Sequence, residues 1–373
     1  MVIPPYKLWS NSASSAWAQQ IIVSSGGTLR MNTGVIITGN TNSTGDNGGG
    51  VNVFGTFTMN GGTISNNRIT STNPRRSGGG IQISNSGNFT MSGGTISGNI
   101  ASGWGGGVSV LGNNSTFTMT GGTISGNSAT SNNGGGVYLN GTFTMSGGAI
   151  SSNNSSSGGG VSVVGTFIMN NGNISNNRAA RDNGNGGGVF IHNTGRFTMG
   201  GGTISGNNAA SGGGISGVGT FTMNNGNITN NRSTGENESG GGISLYSPGV
   251  FTMNGGTISG NNANIGGGAS IWGTLNMRGG TITRNTANWA GGGIYVGGIL
   301  RKTGGIITGY GSDTENGNVV RDTNGTLQSY SGHGIYAYKD DITKLHENTS
   351  GTSHNLIFDG TSSSASWTGD WDF

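Results

Sequence analysis

Short runs of alternating apolar and polar residues recur along the chain at a nearly constant interval. Each methionine after Met1 has Phe or Leu two positions before it and isoleucine five positions after it. These methionines form one column: Met31, Met59, Met91, Met119, Met145, Met169, Met199, Met223, Met253 and Met277. The full unit is G-T-F-T-M-x-G-G-T-I-S-x-N, a variable stretch, and then G-G-G-[VI]-x-[VIL]. The chain is therefore built from internal repeats.

Each repeat holds three very short segments with a period of two residues, V-x-V, F-T-M and T-I-S, with glycines between them. Such segments are typical of strands separated by sharp turns. One repeat cannot bury its apolar side chains, but stacked repeats pair each strand with its equivalents above and below. The pattern predicts an all-β, right-handed parallel β-helix of about eleven rungs with three short strands per rung. A helical solenoid is excluded because glycine supplies 82 of the 373 residues and disfavours helices.

The repeat covers the middle of the chain, and this predicts three regions. Residues 1–26 are expected to form an N-terminal cap, residues 27–309 the β-helix, and residues 310–373 a C-terminal cap. The balance of charge changes near the second boundary: 11 basic and 4 acidic residues precede residue 301, and 5 basic and 9 acidic residues follow from there. Gly332–Tyr338 echoes the G-G-G-I-Y-V segment and predicts a further partial rung.

An asparagine closes the T-I-S segment in nine repeats: Asn67, Asn99, Asn127, Asn153, Asn177, Asn207, Asn231, Asn261 and Asn285. This column is either a row that binds a ligand or an inward ladder of amides that bond to the turns above and below. We favour the ladder, because buried amides need partners and asparagine tolerates tight turns.

Catalytic residue types are scarce in the repeats. With no cysteine, thiolate chemistry is excluded. The carboxylates between residues 27 and 300 are Asp46, Asp182, Glu236 and Glu238, all in variable stretches, and no two occupy matching positions of adjacent repeats. We therefore favour a non-enzymatic protein without excluding an enzyme, and we expect no cofactor and no metal. The predicted C-terminal cap holds a less favoured candidate cluster: His333, Asp340, Asp341, His346, Glu347, His354 and Asp359.

Charge and hydropathy narrow the classes of partner. The 16 basic residues are spread along the chain and form no dense stripe, so nucleic-acid binding is not expected. No run is long and apolar enough for a membrane helix, and the first twenty residues lack the apolar core of a signal peptide.

One regular surface feature is predicted. In T-I-S the isoleucine points inward, so the residues on either side point outward. The resulting hydroxyl array is the candidate ligand face: Thr63, Ser65, Thr95, Ser97, Thr123, Ser125, Thr203, Ser205, Thr257, Ser259, Thr281 and Thr283. Hydroxyl residues also suit an exposed β face that binds nothing, and an ice-binding solenoid is a further alternative.

The I-S-x-N segment followed by G-G-G-[VI] resembles the repeats of polymorphic outer membrane proteins and adhesin-like proteins. It occurs at Ile96–Asn99 with Gly105–Val108, and at Ile204–Asn207 with Gly212–Ile215. The resemblance covers about residues 48–310, although Ile stands where those repeats have the first Phe of F-x-x-N. It implies a bacterial surface protein with a pectin-lyase-like β-helix.

These observations give three functional hypotheses. The first is a non-enzymatic, extracellular surface protein that binds glycans, host molecules or neighbouring cells. The second is a carbohydrate-active β-helix enzyme, either a polysaccharide lyase or a glycoside hydrolase, and the third is an ice-binding protein. End-to-end self-association is a further expectation, because solenoid ends present open strand edges.

Overall fold

The structure is a computed structural model that describes residues 21–43, 48–70, 77–236, 239–310, 313–328 and 332–337, and the backbone alone at 7–8 and 356–358. The chain divides into two compact units, Met1–Arg181 and Asp182–Phe373. Within these described ranges every regular element is a β-strand. The strands stack in parallel as a β-solenoid of about ten turns with three sheets, which confirms the predicted fold class. None of the described segments forms a helix of the length and apolarity that a membrane span requires.

The F-T-M strands and the V-x-V strands share the largest sheet. In the first unit, two continuous strands, Val108–Met119 and Val137–Met145, contain both segments of their rung. The other strands of this sheet in the first unit are Ile21–Val23, Thr28–Met31, Val51–Val53, Thr56–Met59, Ile81–Ile83, Asn88–Met91, Val161–Val163 and Thr166–Met169. In the second unit they are Val189–Ile191, Arg196–Met199, Ile215–Gly217, Thr220–Met223, Ile243–Leu245, Val250–Met253, Ala269–Ile271, Thr274–Met277, Ile294–Val296, Ile299–Lys302, Ile335–Ala337 and Leu356–Phe358.

The T-I-S strands form a second sheet. In the first unit these strands are Lys7–Leu8, Ile36–Thr38, Thr63–Ser65, Thr95–Ser97, Thr123–Ser125, Ala149–Ser151 and Asn173–Ser175. In the second unit they are Thr203–Ser205, Asn227–Thr229, Thr257–Ser259, Thr281–Thr283 and Ile306–Ile307.

The third sheet consists of short strands that follow the asparagine column, a position where the sequence pattern indicated only a turn. In the first unit they are Thr41–Asn42, Arg68–Ile69, Ile100–Ala101, Ser128–Ala129, Asn154–Ser155 and Arg178–Ala179. In the second unit they are Asn208–Ala209, Arg232–Ser233, Asn262–Ile265, Thr286–Ala290 and Val319–Val320. Most contain two residues, which is too short for a period-two pattern to be recognised.

Identical side chains lie over one another in the core. Met119 pairs in register with Met91 on one side and Met145 on the other, as the repeat predicts. The ring centroids of consecutive phenylalanines from Phe57 to Phe167 are 4.4 to 4.9 Å apart, with the rings stacked. The core of each unit is therefore a set of parallel columns of Phe, Met, Ile and Val.

The asparagine column is an inward ladder, as predicted. Asn127 donates from both its backbone N and its Nδ2 to Oδ1 of Asn153, at 2.9 and 3.0 Å. The same Nδ2 also donates to the carbonyl oxygen of Ile96 at 2.9 Å. The ladder includes Asn40 in the first unit and Asn318 in the second, which the repeat alignment did not include.

Glycine is required where neighbouring coils approach closely. Gly148 has a φ of 85°, and a Cβ there would lie 2.6 Å from Cε of Met119 and 2.8 Å from the carbonyl oxygen of Gly122. Gly135, in a G-G-G triplet, would place a Cβ 2.5 Å from the carbonyl oxygen of Gly159. The glycines therefore admit both the left-handed turn and the methionine of the preceding rung.

Further pairings extend the stack at its ends. In the second unit Ile335–Ala337 pairs in parallel with Ile294–Val296, which is the register that the Gly332–Tyr338 echo predicts. Leu356–Phe358 pairs antiparallel with Leu300–Lys302. In the first unit Lys7–Leu8 pairs in parallel with Ile36–Ile37.

Candidate functional site

The predicted hydroxyl face occupies the outer side of the T-I-S strands. In the first unit Thr63, Thr95 and Thr123 are in register, and their serine partners follow two residues later. In the second unit Asn227 separates Thr203 from Thr257 in the threonine column. All twelve predicted side chains are partly exposed. Their outward direction follows the period-two alternation.

Two hydroxyls of this face bond to neighbouring protein groups, and an apolar residue lies beside its first threonine. Ser65 Oγ donates to Thr38 Oγ1 at 3.3 Å. In the second unit Thr283 Oγ1 donates to the carbonyl oxygen of Asn316, on a loop that also holds Asp313. Hydrogen bonds from the backbone and side chain of Asn316 lower the pKa of Asp313 below its ordinary value. Ile36 pairs with Thr63 and is exposed.

A second hydroxyl face lies on the outer side of the F-T-M strands. In the first unit threonines flank the buried phenylalanine in the sequence T-F-T, except that Asn88 precedes Phe89 and Ile168 follows Phe167. In-register pairing aligns them from rung to rung. They are Thr56, Thr58, Thr90, Thr116, Thr118, Thr142, Thr144 and Thr166. This face is not among the predicted candidate residues, although the same period-two alternation predicts it.

Of the candidate cluster predicted in the C-terminal cap, the described residues include His333 alone. His333 is 3% exposed, and its Nδ1 accepts a hydrogen bond from the backbone N of Val320 at 2.9 Å. Its ring lies 5.6 Å from that of Tyr310, so His333 serves packing in the last rungs. Asp340, Asp341, His346, Glu347, His354 and Asp359 lie outside the described residues. Among the residues that the structure describes, no three His, Asp or Glu side chains gather as a metal ion would need.

A polar cleft of about 500 Å³ lies on the second unit. It is lined by Asp182, Asn183, Asn185, Ala210, Ser211, Thr234, Gly235, Glu236 and Tyr246. Carboxylate, amide and hydroxyl groups therefore converge in one concave surface. Its volume is within the range typical of small-molecule sites.

The cleft exists because three consecutive coils carry insertions of different length. The backbone N atoms of Ala210 and Ser211 donate to the carbonyl oxygen of Gly184, and the N of Gly235 donates to Ala210. These bonds place the short Ala210–Ser211 segment between two longer loops. The loops that carry Asp182 and Glu236 thus form walls on either side of a floor with small side chains.

Hydroxyl groups are organised at the floor. Ser211 is 7% exposed, and its Oγ lies 2.9 Å from Oγ of Ser244 and 2.7 Å from the hydroxyl of Tyr246. This chain of hydroxyls fixes the tyrosine hydroxyl at the edge of the cleft. On the wall, Nδ2 of Asn264 donates to the backbone oxygen of Glu236.

Asp182 and Glu236 both line the cleft, although no two carboxylates occupy matching positions of adjacent repeats. Each lies five residues after an asparagine of the ladder column, Asn177 or Asn231. They belong to alternate repeats and not to adjacent ones, so a search of neighbouring repeats missed them. Counting from the ladder asparagine would have brought them together.

Aromatic side chains cluster on the same unit. Tyr295 is 2% exposed, and its ring lies 5.7 Å from Trp272, 6.5 Å from Trp289 and 5.5 Å from Tyr336. Trp289 is 51% exposed, whereas Trp272 and Tyr336 are partly buried against this cluster. The result is an aromatic surface above a buried tyrosine.

Comparison of the chain with models of protein families, with curated proteins and with solved structures found no match. The β-solenoid fold is thus established by the strand pairing itself. The features that bear on function are the hydroxyl faces, the polar cleft and the aromatic cluster.

Proposed function

We propose that this chain is a non-enzymatic extracellular surface protein that binds glycans through the cleft of its second unit. The observation that carries the proposal is the polar lining contributed by Asp182, Asn185, Ser211, Glu236 and Tyr246. The resemblance of its repeats to those of adhesin-like proteins supports a role in adhesion to a host or neighbouring cell.

The chemistry of the lining suits sugar hydroxyls. Carboxylates accept two or more hydrogen bonds, asparagine amides both donate and accept, and hydroxyls do both. A pyranose ring presents this mixture of donors and acceptors on its rim. The Tyr246 ring adds an apolar surface with a polar tip, as a sugar with both C–H and O–H groups requires.

The cleft contains no lysine or arginine among its lining residues, whereas Asp182 and Glu236 place negative charge on both walls. Like charges disfavour one another at short range, so the cleft should reject uronate and sulfated polymers. Neutral and amino sugars fit better than acidic ones.

A glycan array covering neutral, amino, uronic and sulfated oligosaccharides tests the proposal, followed by calorimetric titration of the strongest ligands. We expect neutral or amino glycans to bind, and Tyr246→Ala to weaken binding about tenfold or more, the scale of a lost anchor residue. Glu315→Gln, an exposed carboxylate on another loop, is the matched control for Glu236→Gln.

Two results would contradict the proposal. One is the absence of binding to any glycan, and the other is binding that Tyr246→Ala and Glu236→Gln leave unchanged. The same samples are assayed for new reducing ends and unsaturated products. Glycoside hydrolysis uses a pair of carboxylates, so cleavage abolished by Asp182→Asn or Glu236→Gln would favour the enzymatic hypothesis instead.

The second candidate function, ice binding, is favoured by the F-T-M face of the first unit. Its two threonine columns, interrupted by Asn88 and Ile168, follow the rung spacing of about 4.8 Å and lie about 6.7 Å apart along a strand. A thermal hysteresis measurement tests this function. Thr118→Lys in the middle of the face should abolish any activity, whereas Thr120→Lys outside it should not, and no hysteresis in the unmodified protein excludes it.

A further inference from the structure

We propose that Trp272, Trp289 and Tyr336 form a stacking platform that continues the cleft, and that the ligand is a neutral, unbranched chain of pyranose sugars spanning both. This inference rests on the proposed glycan-binding function and specifies its ligand. The platform comprises these three side chains and the buried Tyr295 beneath them.

Residues of the cleft and of the platform lie on neighbouring coils of the second unit. Tyr246 of the cleft follows Leu245, and Trp272 of the platform follows Ile271, which pairs with Leu245 on the next rung. The backbone N of Trp272 donates to the carbonyl oxygen of Leu245 at 2.7 Å. The two aromatic residues therefore occupy equivalent positions one coil apart.

A second connection runs through the insertion loops. Asn264 donates to the backbone oxygen of Glu236 on the cleft wall. The next residue, Ile265, packs in the buried cluster with Tyr295. One short strand, Asn262–Ile265, therefore contacts the cleft wall through Asn264 and the cluster beneath the platform through Ile265.

The rings of the platform pack on one another, and Trp289 is exposed. The Tyr295 and Tyr336 rings are stacked at 15° with their centroids 5.5 Å apart, and Trp289 lies 5.9 Å from Tyr336. A Cβ at Gly297 would lie 2.5 Å from Cε3 of Trp272, so this glycine lets the indole lie against the backbone. About half of Trp289 is exposed, so solvent and ligands reach this side chain.

The combination of groups defines the ligand. An aromatic ring that is partly exposed offers its apolar face to other apolar groups, and the C–H face of a pyranose with equatorial hydroxyls is such a group. The hydroxyl rim of the same chain needs the polar groups of the cleft. The carboxylates should disfavour uronates, and a ligand that spans both surfaces has to contain several linked sugars.

The test uses the full chain and neutral β-linked gluco-oligosaccharides of two to six units, with oligogalacturonates of equal length as the charged control. Calorimetry gives the affinity, and tryptophan fluorescence reports contact with the platform. We expect the affinity to rise about tenfold or more from the disaccharide to the hexasaccharide, and the tryptophan emission to shift on binding.

Trp289→Ala should remove most of that gain and leave disaccharide binding unchanged, whereas Trp289→Phe should retain part of it. Trp272→Ala should act in the same way, and Trp104→Ala, on a tryptophan of the first unit, should have no effect. Circular dichroism melting curves establish that each variant is folded.

The outcomes separate the two proposals. If disaccharides and hexasaccharides bind equally, or if Trp289→Ala and Trp272→Ala leave the length dependence unchanged while Tyr246→Ala weakens binding, the platform is excluded and the cleft stands. If no gluco-oligosaccharide binds, the platform proposal fails, and the proposed function fails with it only if the glycan array also finds no ligand. Tighter binding of oligogalacturonates would overturn the neutral ligand.

Discussion

Each buried asparagine of the ladder connects several coils through a single side chain. In the first unit Asn127 bonds to Asn153 and to Ile96, and its Oδ1 accepts hydrogen bonds from the backbone N and Nδ2 of Asn99, at 3.0 and 2.9 Å. The sharp turn leaves backbone N–H and C=O groups without a partner in the sheets. The asparagine side chains of the ladder supply hydrogen bonds to these groups.

Replacement of one ladder residue should therefore be costly. We expect Asn127→Ala to lower the free energy of unfolding by about 3 kcal/mol, because two buried donors of Asn99 lose their acceptor. Chemical denaturation measures this effect. Asn170 is exposed and donates to Ser146 Oγ, so Asn170→Ala is the control and should change stability by less than about 0.5 kcal/mol. Equal effects would contradict the structural role of the ladder.

The strands show how far the repeat predicts the structure. The spacing of the repeats was sufficient to predict which methionines and which phenylalanines pair between coils. Identical residues in equivalent strands align when the coils stack. The third sheet could not be predicted from the pattern, since a two-residue strand such as Ile100–Ala101 has no periodicity. It also escaped notice because its outward residues vary from Arg68 to Ser128.

Alternation within an F-T-M strand gives a direct test at this scale. Phe143 is fully buried between Phe117 and Phe167, whereas Thr144 is partly exposed. Phe143→Asp should destabilise the first unit by about 4 kcal/mol or more, because it combines lost packing with an unpaired buried charge. Thr144→Asp should cost less than about 1 kcal/mol. Thermal melting of both variants checks the assignment, and similar losses would refute it.

The last F-T-M strand departs from the repeat at one inward position. Lys302 pairs with Met277 and thus stands in the methionine column, where it is 4% exposed. Burial lowers the pKa of Lys302 below its ordinary value of 10.5. In the pH range between the lowered value and 10.5 the unfolded chain binds more protons than the folded one, so stability rises with pH there.

This linkage can be measured. The free energy of unfolding should gain a contribution from Lys302 as the pH rises towards 10.5, and Lys302→Met should remove it while increasing stability at neutral pH. Arg301, which is exposed on the same strand, is the control, and Arg301→Gln should leave the pH dependence unchanged. Denaturation at a series of alkaline pH values measures this dependence. If Lys302→Met leaves the pH dependence of the free energy of unfolding unaltered, the pKa of Lys302 is not lowered in the folded protein.

At the scale of the whole molecule, the functional surface was less predictable than the core. The insertion loops vary in length from repeat to repeat, so their position in space does not follow from column alignment. Asp182 and Glu236 line opposite walls of the cleft, and the intervening loop at Ala210–Ser211 is short. The position of Trp289 was not predictable either. Its segment forms the five-residue strand Thr286–Ala290, longer than most strands of the third sheet, and its ring lies 6.5 Å from that of Tyr295.

The ends of a solenoid present a separate problem, because an uncovered strand edge pairs with other chains. In the second unit the edge at Leu300–Lys302 is covered by the antiparallel strand Leu356–Phe358. A chain ending at Ser353 lacks this strand, and we expect it to associate in a concentration-dependent way. A chain ending at Gly360 retains the strand and should match the full-length protein in sedimentation velocity. If both truncated chains sediment alike at every concentration, the antiparallel strand does not protect this edge.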